Sequence, residues 1–194
     1  MGEDNLRCRW LLLIYRVPQD PPGRRTYVWR QLKQLGAVYL QQAAAVLPDH
    51  AGLRASLEAV AARIREFPGE VSLLETSSPS LEWEQELIAR FNQARDAEYA
   101  EIVENVERFE DEVRRESGKG KFTFAELEDI EADWEKIQHW HERIVGRDFF
   151  SASAATEVTA ALERGRTVLD AFAEEVYRHE GVQANDPGGD SAPD

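Results

Sequence analysis

The hydrophobic periodicity of the chain changes at Ser77-Ser78-Pro79-Ser80, and that change limits the folds open to it. Before it, short apolar runs alternate with amphipathic stretches. After it, apolar residues recur every three or four positions. Residues 9–17, RWLLLIYRV, form a continuous apolar run bounded by Pro18 and Pro21-Pro22-Gly23, which predicts a buried strand. Residues 24–35 set Val28, Leu32 and Leu35 at helical spacing, and Gly36 closes the helix. Short strands are expected at 38–40 and 43–47, the second ended by Pro48-Asp49. Residues 50–66 carry Leu53, Leu57, Val60, Ala61 and Ile64 on one helical face and stop at Pro68-Gly69; a last strand is predicted over 70–76. The order β-α-β-β-α-β over 9–78 predicts a ferredoxin-like domain, four antiparallel strands with two helices on one face.

The rest reads as helices. The expected fold class is therefore α+β, the ferredoxin-like domain being followed by an antiparallel three-helix bundle over 80–180. Helices are predicted over 81–115, from a capping box at Thr123 and Glu126 to Gly146, and over 154–179. Residues 181–194 hold Pro, Gly and Asp but no aromatic, and are expected to be a disordered tail.

The first two of these helices have apolar seams. One runs through Ile88, Asn92, Arg95, Tyr99, Ile102, Val106, Phe109 and Val113; the other through Leu127, Ile130, Trp134, Ile137, His141 and Ile144, with Asp148 a step beyond. A loop near Lys119-Gly120 makes them antiparallel. Val113 then faces Leu127, Phe109 faces Ile130, Val106 faces Trp134, and Tyr99 faces His141. The open end of the hairpin collects Asn92, Arg95, Tyr99, His141 and Asp148, flanked by Asp96 and Arg147. Buried polar groups need partners. Two readings stay open: a structural network pairing Arg95 with Asp148 and Tyr99 with His141, or a pocket whose donors hold a small molecule or oxyanion.

Charge is uneven. Residues 1–78 carry 10 Lys and Arg against 8 Asp and Glu; residues 79–194 carry 13 against 29, within a net charge of −14. Contact with a phosphate backbone would have to come from the first part. There Arg16, Arg24, Arg25, Arg30 and Lys33 gather at the end of the first strand and on the first helix. Arg24 and Arg25 lie in a first turn, where the helix dipole disfavours cations, so they have no helix-stability rationale. A solvated surface and a DNA or anion contact are the two readings.

Several chemistries are not expected. One cysteine, Cys8, excludes an internal disulfide framework and a multi-cysteine zinc site. His139 and His141 are two apart on a helix and point to different faces, so no metal is expected, and no cofactor. There is no GxGxxG, Walker A or GxSxG pattern. Arg7 and Arg9 flank Cys8 and would lower its pKa if they stayed close. The longest apolar run is too short for a membrane span, and no secretory signal opens the chain, so a cytoplasmic location and no membrane partner are expected.

Six stretches together resemble one family: WLLLIYRVP (10–18), VWRQLKQLGAVYLQ (28–41), VLPD (46–49), ARDAEYAEI (94–102), FTFAELE (122–128) and RDFF (147–150). In order and spacing they are similar to the N-terminal region of ChrB, the chromate-resistance regulatory protein of bacteria. Longer members of that family carry a second, C-terminal domain. The resemblance implies a DNA-binding, oxyanion-responsive protein, often a homodimer, and draws attention to Arg95, Asp96, Tyr99, Arg147 and Asp148. Small nucleases with ferredoxin-like sheets place an aspartate at the end of the first strand. Here that segment is Tyr15-Arg16-Val17, so nuclease chemistry is not expected. The leading expectation is a non-catalytic regulatory or sensory protein. The alternatives are an enzyme or small-ligand binder using the polar cluster, and a helical module binding partners through its acidic surface.

Overall fold

The computed structural model describes residues 8–18, 20 and 23–184. Nine elements follow in order: β1 (Arg9–Arg16), α1 (Arg24–Gln34), β2 (Val38–Gln41), β3 (Ala44–Pro48), α2 (Ala51–Glu66), β4 (Glu70–Ser77), α3 (Leu81–Gly118), α4 (Phe124–Val145) and α5 (Ala155–Ala184). The protein is α+β, with one four-stranded antiparallel sheet in the order β2-β3-β1-β4. Contacts divide it into two units. The first holds the described residues up to Arg95 together with Gly146–Ala152, and the second holds Asp96–Val145 and the described residues from Ser153 on.

In the first unit β1 lies between β3 and β4, with Leu12 opposite both Val46 and Leu74. Alternation along a strand sends Leu11 and Leu13 to one face, where they are buried with Leu47, Val28, Leu32, Leu57 and Ile64 of β3, α1 and α2. Trp10 goes to the other face and is buried with Val46 and Phe91; Leu87, Ile88, Phe149 and Phe150 pack against that cluster. The Trp10 ring lies 5.6 Å from Phe91 and 5.7 Å from Phe150. The continuous apolar run of β1 thus serves a strand covered along one face and, at its Trp10 end, on the other, while Ile14 stays exposed. The start of α3 and the Phe149-Phe150 pair supply part of the second cover, in addition to the two helices expected on the first face.

Gly36 shows how Gly146–Ala152 is seated on this unit. Its φ of +83° ends α1 in the left-handed region, and a Cβ there would meet Arg147 Cβ at 3.0 Å and Phe149 Cε2 at 3.1 Å. The Arg147 guanidinium donates to the Lys33 carbonyl at 3.0 Å.

In the second unit the seams are buried as their periodicity requires: Tyr99, Ile102, Val106, Phe109 and Val113 on α3, and Leu127, Ile130, Trp134, Ile137 and Ile144 on α4. Tyr99 and His141 lie with ring centroids 6.1 Å apart, in the expected register. The Phe109 ring lies 5.1 Å from that of Trp134. The Thr123 hydroxyl accepts the Glu126 N–H at 3.3 Å, capping α4. Helix α5 continues through Gly181 to Ala184, past the expected start of the tail; residues 185–194 of that tail lie outside the described residues. No helix among the described residues is long and apolar enough to cross a membrane.

Candidate functional site

The seven residues of the expected polar cluster fall in both units. In the first, Arg95 is buried at 2% exposure and Asn92 is half-buried, its Oδ1 lacking a hydrogen-bond partner among the described residues. Both Asp148 carboxylate oxygens accept the Ala152 N–H, at 3.0 and 3.1 Å. That bond closes a turn holding Ser151 at a φ of +58°. Arg147 is tied to Lys33 as described. In the second unit the Asp96 carboxylate accepts the Ala154 N–H at 2.8 Å and the Ser153 hydroxyl at 3.3 Å, satisfying donors at the start of α5. His141 is half-buried, and burial pushes its imidazole below the ordinary pKa, with Glu142 opposing the shift. Asp96, Arg147 and Asp148 each hold backbone groups in place.

The basic set is divided by its surroundings. The Arg24 guanidinium lies 5.3 Å over the Phe67 ring and reaches the Asp20 and Phe67 carbonyls at 3.4 and 3.5 Å. Arg16, Arg25 and Arg30 are exposed, Lys33 half-exposed, and none of the four makes an ion pair among the described residues. Elsewhere pairing is common: Arg9 and Arg54 share Asp49 and Glu75, and Arg63 holds Glu66.

Arg16 and Arg25 line a common groove of about 920 Å³ beside the β2–β3 turn. Trp29, one helical turn beyond Arg25, forms part of its wall, with Tyr39, Gln41 and Gln42. Tyr15 and Tyr39 share a hydroxyl–hydroxyl hydrogen bond of 2.9 Å. Burial and the Tyr15 hydroxyl raise the Tyr39 pKa far above its usual range, so the phenol stays neutral. Trp29, Tyr39 and Gln41 lie in the 28–41 stretch that carries the resemblance, but neither they nor Gln42 were named as site residues. The one sequence signal was the i, i+4 spacing of Arg25 and Trp29. Arg30 and Lys33 do not line the groove.

Cys8 lies opposite to the expected direction. Its N–H donates to the buried Glu84 carboxylate, and burial with Glu84 nearby raises the thiol pKa. Arg9 is held instead by Asp49 and Glu75. Among the described residues no group of three or more His, Cys, Asp or Glu is placed to hold a metal ion.

The fold and groove define an α+β protein whose sheet-bearing unit carries an arginine-lined cleft. Its sequence supplies the family. Residues 25–183 match the family described as Protein ChrB, N-terminal, and the chain belongs to that family. Over 92 residues it is 37% identical to Protein ChrB of Cupriavidus metallidurans, a match covering 47% of this chain and 28% of that protein.

Proposed function

We propose that the chain is a regulatory protein of bacterial chromate resistance that works in the cytoplasm by binding, without catalysis. In this reading the first unit is ferredoxin-like in topology and meets DNA, while the helices α3–α5 form a three-helix bundle. Membership in the ChrB N-terminal family supports the regulatory role. The resemblance to ChrB brings a homodimer with it.

One observation carries the DNA contact. In a chain of net charge −14, Arg16, Arg25, Arg30 and Lys33 stand on the sheet-bearing unit without an acidic partner among the described residues. An unpaired surface cation remains available to a phosphate, and each phosphate neutralised releases condensed counterions. The excess of acid in residues 79–194 repels DNA, which orients the contact toward the first unit.

Fluorescence anisotropy with a labelled duplex carrying a chromate-efflux promoter tests this. Affinity should fall with rising salt. Arg30→Ala with Lys33→Ala should weaken binding and reduce the salt slope by about two. No binding at low salt, or a slope unchanged in the double variant, refutes the contact.

A further inference from the structure

The groove at the end of β1 offers more than positive charge. Its wall includes Arg16, Arg25, Trp29, Tyr39, Gln41 and Gln42. Among the described residues no Asp or Glu lines it, although the chain has 37 of them. Trp29 is 48% exposed, whereas Trp10 and Trp134 are 1% and 2% exposed. An indole left half in water, in one groove with two guanidinium groups that make no ion pair among the described residues, offers a stacking surface next to available positive charge. Such a pairing suits a ligand with a flat aromatic part and a negative part. The groove volume lies in the range of small-ligand clefts, and the glutamine amides can both donate to and accept from the edge of a base.

We propose that this groove binds a nucleotide, its base stacked on the Trp29 indole and its phosphate held by Arg16 and Arg25. A stacked duplex hides the faces of its bases, so the ligand is a free nucleotide or an unpaired nucleotide of a strand. The Tyr15–Tyr39 hydroxyl pair and the two amides give the base polar contacts without adding a carboxylate beside the phosphate. The proposal goes beyond the regulatory reading; the two share Arg16 and Arg25, but their tests are separable, because the duplex contact is tested at Arg30 and Lys33, which do not line the groove.

Isothermal titration calorimetry on the full chain tests it with AMP, adenosine, inorganic phosphate and an oligo-dA strand. AMP should bind saturably and more tightly than adenosine or phosphate alone. Trp29→Ala should weaken AMP about tenfold or more, the usual worth of one stacked base, while Trp29→Phe keeps part of the affinity. Arg16→Ala with Arg25→Ala should remove the advantage of AMP over adenosine, and Arg30→Ala should leave it. All four side chains are exposed, and thermal melts verify that the variants fold. Oligo-dA tighter per site than AMP assigns the ligand to a strand; AMP as tight or tighter assigns a free nucleotide. Absence of saturable binding by both, phosphate binding as tightly as AMP, or affinity unchanged by Trp29→Ala overturns the proposal.

Discussion

Gly165, in the middle of α5, gives a sharp test of how the second unit is packed. A Cβ at this position would lie 2.5 Å from Trp134 Cζ3, 2.7 Å from Cη2 and 3.1 Å from Val106 Cγ1. Trp134 and Val106 are 2% and 0% exposed, and the Trp134 ring is packed on Phe109. Helix propensity alone favours alanine over glycine by ~1 kcal/mol. Overpacking a filled core costs ~1–3 kcal/mol. The indole is rigid, buried and packed on the Phe109 ring, so the cost falls in the upper part of that range. Gly165→Ala should therefore lose ~1–2 kcal/mol net. Gly181→Ala, in the same helix with nothing within 4 Å, should be neutral or slightly stabilising. Urea denaturation followed by circular dichroism measures both. A double-mutant cycle isolates the cause: in a Trp134→Phe background, where the bulk of the indole is gone, Gly165→Ala should be nearly free of cost. If Gly165→Ala is as stable as the parent, or costs the same in the Trp134→Phe background, this packing is wrong.

Two further outcomes are expected. Asp148→Ala leaves the Ala152 N–H without its carboxylate and should cost ~1–3 kcal/mol, whereas exposed Glu107→Ala should stay within about 0.5 kcal/mol; denaturant midpoints compare them. Burial depresses the His141 pKa from its ordinary 6.5, so below that pH the unfolded chain binds the extra proton first. Its stability contribution is present above about pH 6.5 and lost as pH falls through the lower folded value, and His141→Gln should flatten that part of a stability-against-pH curve.

Periodicity carried much of the architecture because it reports which side of an element is covered. The continuous apolar run of β1 marked a buried strand, and the helical spacing of Val28, Leu32, Leu57 and Ile64 placed the helices' core faces against it. The second cover was not legible. Phe91 and Phe150 meet Trp10, and Phe149 packs on Phe91, from positions far along the chain, and no local pattern encodes that meeting. Facing residues in an antiparallel hairpin have a constant index sum, which is why Tyr99 and His141 could be paired from spacing. The contact of Phe109 with Trp134 departs by one turn from the expected pairing with Ile130. A long ring reaches beyond the position opposite its own Cα. Gly181 looked like a helix stop, yet one glycine costs a helix only ~1 kcal/mol, and α5 passes through it. The groove was half legible: charge grouped Arg16 with Arg25, and Trp29 shares a helix face with Arg25 by spacing, but only the fold brings Tyr39 and the Gln41-Gln42 turn beside them.

The same contacts bear on which cations are free to act. Arg147 is tied to a carbonyl, while Asp96 and Asp148 are tied to backbone N–H groups. A charge-assisted bond of this kind contributes ~1.5–3 kcal/mol, so recruiting these groups to a ligand would first break the turns they hold. Two of the three are carboxylates, which repel an oxyanion whenever they are ionised. Arg16 and Arg25 carry neither burden. They have no ion pair among the described residues, and no Asp or Glu lines the groove they share. Binding an anion there costs mainly the ordering of two exposed side chains, ~2 kcal/mol each at most. The charge-assisted guanidinium–phosphate bonds and the stacking surface of Trp29 can offset that cost. On this comparison the sheet-bearing unit is where an anionic partner meets the least resistance.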